Sequence, residues 1–273
     1  FKVPAAWKGK TINIVFEGSM TDTKVSINGQ LAGPIHQGSF YRFKYDVSKL
    51  LKYGAENSLE VVVKNWSDNL SVNTAERKAD YWIFGGIYRP VYLEAKPREH
   101  IDWTAIDARA DGAFMANIYI NNARKTDVVA AQVMDMDGNL VGEAFSTPVQ
   151  NEMEMVMVSQ KFNEVATWSA EFPNRYQVKF SLKAKGEIIH TTTEKFGFRT
   201  VELRPQDGIY VNGQKIKMKG VNRHSFWPES GRTTSYQISV DDVNLIKNMN
   251  MNAVRMSHYP PDNHFLEVCD SLG

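Results

Sequence analysis

Polar and apolar residues alternate with a period of two through the first stretch of the chain. Residues 11–16 (TINIVF) and 58–64 (SLEVVVK) follow this alternation, the signature of a pleated strand with two different faces. Residues 24–27 form a third predicted strand. It runs into Asn28-Gly29, a pair that tolerates positive φ and so predicts a tight hairpin. Residues 87–94 complete the set. Short strands separated by Gly and Asn turns predict a jelly-roll sandwich over residues 1–97.

Lys96-Pro97-Arg98 marks a boundary, and a second β pattern fills residues 98–200. Its strands are predicted at 116–120, 128–134, 153–158 and 177–182, with a hairpin at Asp137-Gly138. This size and spacing predict an immunoglobulin-like sandwich, without the Cys and Trp of antibody domains. The methionine-rich run 153–157 is expected to pack in its core.

After Pro205 the period changes. A small hairpin at 210–214 and a strand at 216–221 lead to Ser239-Val240-Asp241-Asp242, a capping-box-like helix start. Val243, Ile246 and Met249 then recur at helical spacing. A strand at 252–256 follows, and Phe265, Leu266, Val268 and Cys269 mark a second helix. Strand, helix, strand, helix implies parallel strands. Residues 201–273 therefore read as the first two βα units of a truncated (β/α)8 TIM barrel, since a closed barrel takes about 250 residues. The fold class expected for the whole chain is mainly β. Two open parallel strands leave backbone groups and an apolar face uncovered. The isolated chain is expected to associate, or to hold the segment after 205 loosely.

Barrel enzymes carry their chemistry at the C-terminal ends of the strands. Here the first strand ends in Asn222-Arg223-His224, and the second in Arg255 with Ser257-His258-Tyr259-Pro260 just beyond. Two imidazoles and two guanidinium groups are expected to converge on one face.

Composition removes some function classes. The 273 residues carry 32 basic and 31 acidic side chains, a formal net charge of +1. Such a balance offers no footprint for nucleic acid or an anionic membrane. No apolar run is long enough to span a bilayer. The one cysteine, Cys269, forms no intrachain disulfide and does not fix a compartment; periplasmic, secreted and cytoplasmic locations all stay open. The chain opens at Phe1 without an initiator methionine, so any targeting segment is expected upstream. His36, His100, His190 and His264 show no metal-ligand spacing.

The run Asn252-Ala253-Val254-Arg255-Met256-Ser257-His258-Tyr259-Pro260, with Asp270 and Gly273 beyond it, resembles the signature of glycoside hydrolase family 2. Lys219-Gly220-Val221-Asn222-Arg223-His224 resembles that family's first barrel strand. Gly85-Gly86-Ile87-Tyr88-Arg89-Pro90-Val91 and Trp66-Ser67-Asp68 resemble parts of its jelly roll, and Gly197-Phe198-Arg199 the end of its immunoglobulin-like domain. The matches run in the family's order along nearly the whole chain.

The resemblance implies retaining hydrolysis of a terminal β-linked sugar, which needs two flanking carboxylates. In the family both are glutamates on later barrel strands, expected beyond Gly273, so this chain is expected to be an inactive N-terminal fragment. Glu229 and Glu267 match neither position. Four supporting residues carry over by resemblance. Arg255 matches an arginine beside the nucleophile, where its fixed charge keeps a carboxylate ionised. His258 and His224 match histidines that contact the sugar. Asp68 matches an aspartate that bonds sugar hydroxyls, near a sodium ion in the galactosidases. No cofactor is certain from this; a monovalent or divalent cation in the intact enzyme stays open.

The expected partner is an oligosaccharide or glycoside substrate, with no nucleic acid and no membrane, and with a homo-oligomer left open. β-Galactosidase is the first reading. Ser225-Phe226-Trp227-Pro228 departs from the galactosidases' His-His-Pro-like run, which keeps β-glucuronidase and β-mannosidase open beside it. Trp227 offers a stacking face or fills the barrel mouth. Tyr81, Trp82 and Phe84 are expected to pack between domains. Outside the enzyme class, a non-catalytic carbohydrate-binding module made of the two sandwiches is the competing reading.

Overall fold

The computed structural model describes residues 1–78, 80–150 and 152–273. The chain is mainly β and divides into two compact units. One holds Phe1–Lys96 with Gly220–Val268, the other Pro97–Lys219 with Cys269–Gly273.

The first unit opens with β1 (Thr11–Phe16), β2 (Ser19–Met20), β3 (Asp22–Ile27), β4 (Gln30–Leu31), β5 (Phe43–Asp46) and β6 (Leu59–Lys64). Helix α1 (Leu70–Arg77), β7 (Gly86–Ile87) and β8 (Val91–Lys96) follow. Two antiparallel sheets, β5-β1-β8 and β4-β3-β6, form the jelly-roll sandwich. Ile12, Ile14 and Phe16 from one sheet meet Val25 and Ile27 from the other in its core. Each such fully buried side chain contributes on the order of 1.5–3 kcal/mol. The Asn28-Gly29 hairpin forms as expected: both residues have positive φ (50° and 80°), and Ile27 lies opposite Gln30.

The strand expected at 87–94 is two strands. β7 pairs with β2 and β8 with β1. Between them Tyr88 and Arg89 turn inward and are buried, and Pro90 has no N–H to extend a ladder. Helix α1 was not expected. Asn69 caps it, its side chain accepting from Ser71 N at 3.0 Å, which satisfies one of the free N–H groups of a first turn.

The second unit is built from β9 (His100–Ala108), β10 (Ala113–Asn121), β11 (Val128–Asp135), β12 (Leu140–Pro148), β13 (Met155–Lys161), β14 (Tyr176–Ala184) and β15 (Glu187–Phe196). They form a three-stranded sheet, β13-β10-β9, and a four-stranded sheet, β12-β11-β14-β15, the seven-strand count of an immunoglobulin-like sandwich. Phe114, Ile118, Val133, Val178, Phe180 and Phe198 fill its core. The methionine run does so only at its start, where Met153 packs against the core. Val156 and Val158 are buried, while Met155 and Met157 are 41% and 49% exposed. A strand sends alternate residues to opposite faces, and the valines take the inner one. A small sheet of β16 (Val201–Arg204), β17 (Gly208–Val211) and β18 (Gln214–Ile216) completes this unit's strands.

The rest of the first unit is the barrel start: β19 (Gly220–Arg223), α2 (Tyr236–Asn248), β20 (Ala253–Met256) and, as far as Val268, α3 (Asn263–Leu272). The strand expected at 216–221 is thus divided between β18 and β19, which belong to different sheets. β19 and β20 pair in parallel, with Asn222 opposite Arg255 and Arg223 opposite Met256. Gly220 permits their close approach, because a Cβ there would stand 2.2 Å from the Ala253 carbonyl oxygen. Helix α2 begins earlier than the Ser239 start expected. Ser235 is its cap, the Oγ accepting from Ile238 N at 3.2 Å. Ser239 lies one turn further in, where its Oγ meets His264 Nδ1 of α3 at 2.9 Å. No helix among the described residues is long and apolar enough to cross a membrane.

Candidate active site

Parallel pairing places the C-terminal ends of β19 and β20 side by side, and this brings His224 and His258 together. Their rings lie 5.8 Å apart at an interplanar angle of 84°. His224 is half-buried and His258 exposed. Tyr259, buried between them and the sandwich, stacks on Phe40 at 4.6 Å. Its hydroxyl accepts from Ser225 N at 2.9 Å, which ties the turn after β19 to the turn after β20.

Burial holds the His224 imidazole below its ordinary value. The charges of His258 and Arg232 act in the same direction, and Asp80 opposes them. Nδ1 of His224 is buried with no hydrogen-bond partner among the described residues. A neutral imidazole donates through one nitrogen and accepts through the other, so this ring can serve a hydroxyl in either sense. The sign of the pH effect follows. Folding disfavours the protonated ring, while the unfolded chain takes up the proton near the ordinary value of about 6.5. The stability tied to His224 is therefore complete above that pH and is lost as the pH falls below it. A proton NMR titration is expected to place the His224 midpoint below 6.5; a midpoint at or above it contradicts the buried, cation-flanked environment.

Arg255 lies on β20 with an exposed side chain, its Nη1 3.5 Å from Ser257 Oγ. The expected convergence of two guanidinium groups does not occur. Arg223 lies opposite Met256, on the other face of the two-stranded sheet. There it is buried, with Nε and Nη2 each 2.7 Å from Asp242 Oδ2 of α2, and its guanidinium sits over the Phe265 ring at 4.2 Å. Residue alternation along β19 separates the two arginines: Arg223 fastens helices to the sheet, and Arg255 faces away from them.

Asp68 is exposed, with Oδ2 2.6 Å from Lys64 Nζ. Among the described residues no hydrogen bond, ion pair or ring contact joins it to the histidines. Its loop is nevertheless firmly held. Buried Asp22 accepts from Ser67 Oγ at 2.6 Å, from Asp68 N at 2.8 Å and from Gln37 Nε2 at 3.1 Å. Burial alone would raise the Asp22 carboxyl; these hydrogen bonds and nearby Lys64 outweigh it and hold the group below its ordinary value. No group of three or more His, Cys, Asp or Glu side chains among the described residues could hold a metal ion. Lys64 occupies the Oδ2 side of the Asp68 carboxylate.

Sequence reasoning missed the residues that join the sandwich to the barrel start. Arg89 Nε stands 2.9 Å from Asp262 Oδ1, with side chains only 5% and 9% exposed. The angle is not that of a hydrogen bond, and the contact is ionic. Arg89 also donates to the carbonyls of Phe40 (3.1 Å) and Pro260 (2.7 Å). Buried Arg232 donates to the Trp82 carbonyl at 2.5 Å. Trp82 itself meets His224 edge-on, with ring centroids 6.5 Å apart.

Comparison with known proteins agrees with this architecture. Residues 1–97 match the sugar binding domain of glycosyl hydrolases family 2, residues 98–199 match glycosyl hydrolases family 2, and residues 201–273 match the family's TIM barrel domain. The chain belongs to glycosyl hydrolase family 2. A β-galactosidase of Thermoanaerobacter pseudethanolicus is 32% identical over 100% of this chain and 37% of its own length. A putative β-glucuronidase of Formosa agariphila is 31% identical over 97% of this chain and 32% of its own. The crystal structure of a putative β-galactosidase from Bacteroides fragilis superposes with a TM-score of 0.87 at 26% identity, covering 100% of this chain and 42% of that one. The chain thus spans about a third of the length of the curated relatives it matches.

Proposed function

We propose that this chain supplies the sugar-facing histidines of a retaining exo-β-glycosidase, a β-galactosidase in first place. The observation that carries the reading is the His224–His258 pair, set at the ends of adjacent parallel strands. That is where barrel enzymes bind and transform substrate. In this reading His258 and His224 bond sugar hydroxyls, Arg255 stands beside the nucleophilic carboxylate, and Asp68 contacts the sugar from the sandwich side. The two glutamates that retaining hydrolysis requires come from barrel strands beyond residue 273, and the chain by itself is inactive.

The names of the relatives favour galactose, and one is named a putative β-glucuronidase. Ser225-Phe226-Trp227, in place of a second histidine, is the sequence feature that favours the glucuronidase as second reading. The test is a panel of p-nitrophenyl β-galactoside, β-glucuronide and β-mannoside, with the protein expressed from the complete reading frame that carries residues 1–273. The galactoside is expected to give the largest kcat/KM. A preference for the glucuronide replaces the galactose assignment, and turnover of none of the three overturns the enzyme reading.

A further inference from the structure

Trp82 is a large exposed aromatic side chain beside the histidine pair. Its neighbours Tyr81 and Phe84 are half-buried, but Trp82 is 62% exposed. Its indole stacks on Phe226 (4.9 Å, 30°), and Phe226 stacks in turn on Phe84 (6.0 Å, 24°). One side of the indole is therefore backed by the site, and the rest of it faces solvent. Its edge contact with His224 continues to His258. Trp82, His224 and His258 form an unbroken strip from the sandwich loop to the end of β20.

The loop that carries Trp82 is held from the barrel side. Arg232 is 3% exposed, and its guanidinium lies against the rings of Tyr259 (4.5 Å), Phe40 (5.2 Å) and Tyr81 (5.4 Å). Its hydrogen bond to the Trp82 carbonyl is made by Nη2, while Nε and Nη1 have no partner among the described residues. Desolvating a charge without a carboxylate is unfavourable, and the aromatic faces offset part of this. Arg232 thus links the Trp82 carbonyl to the Tyr259 ring.

We propose that Trp82 is a sugar-stacking platform, contributed by the N-terminal sandwich, for the pyranose ring next to the one that His258 contacts. His224 stands between Trp82 and His258, so a ring on the indole is the neighbour of a ring on His258. The C–H face of a β-pyranose is weakly positive, and it complements the negative face of the indole. Such a surface adds affinity without demanding a particular hydroxyl configuration. The inference rests on the β-glycosidase reading.

The experiment uses the protein from the complete reading frame. KM and kcat are measured on a β-linked disaccharide and on the glycosyl fluoride of the same sugar, which has no second ring. Trp82→Ala is expected to raise KM for the disaccharide about ten-fold more than for the fluoride. Trp82→Phe, which keeps an aromatic face, is expected to fall between Trp82→Ala and the unsubstituted protein. An equal change on both substrates, or no change on the disaccharide, overturns the platform while leaving the glycosidase reading intact. An unsubstituted protein that cleaves no β-glycoside overturns that reading, and the platform with it.

Discussion

Replacing Arg89 with methionine is expected to destabilise the first unit by about 3–5 kcal/mol, the cost of leaving a buried charge without its partner. Among the described residues, the Asp262 carboxylate would keep only the hydrogen bond from Thr234 Oγ1 at 3.0 Å. The carbonyls of Phe40 and Pro260 would lose their donor as well. The effect is large because Arg89 links positions distant in the chain, the end of the sandwich and the turn after β20. A chain of two compact units need not unfold in one step. Hydrogen exchange is therefore the suitable readout, since it reports protection segment by segment. Adding Asp262→Leu removes the stranded carboxylate, and protection is expected to recover partly. A loss within about 1 kcal/mol for Arg89→Met, as for a surface pair, would contradict the desolvated ion pair.

His258→Ala carries the largest expected effect on activity. In the protein from the complete reading frame, kcat/KM for the preferred β-glycoside is expected to fall about a hundred-fold, the scale of losing one donor aimed at developing charge. Because His258 is exposed, stability is expected to stay within about 0.5 kcal/mol. His258→Asn, which keeps a donor, is expected to lie between the two. A kcat/KM within two-fold of the unsubstituted protein would remove His258 from the site, whatever the family.

Much of the site was readable from periodicity. Once 220–223 and 253–256 are parallel neighbours, His224 and His258 must emerge at the same edge, and they do. Turn chemistry was equally direct: Asn28-Gly29 takes the positive φ values that its composition suggested. Errors arose where one residue of register decides which face a side chain takes. Arg223 was expected beside Arg255, and alternation sends it to Asp242 and Phe265 instead. Met155 and Met157 were expected inside, and Val156 and Val158 hold that face. The helix start failed for a related reason, since Ser235 and Ser239 are one turn apart and either could cap. The Arg89–Asp262 contact and the seat of Arg232 left no local signal, because pairs separated by 150 residues or more are set by packing. A buried polar residue in a strand, such as Asp22 at the start of β3, was the one cue to the anchored loop of Asp68 that could have been followed.

The most direct test of the central claim is proton NMR of the protein from the complete reading frame acting on an aryl β-galactoside, following the anomeric signals before mutarotation. Release of the β-anomer of the free sugar first is the predicted result, as retention demands. Release of the α-anomer first, or no cleavage of the galactoside or of its glucuronide counterpart, would contradict the account.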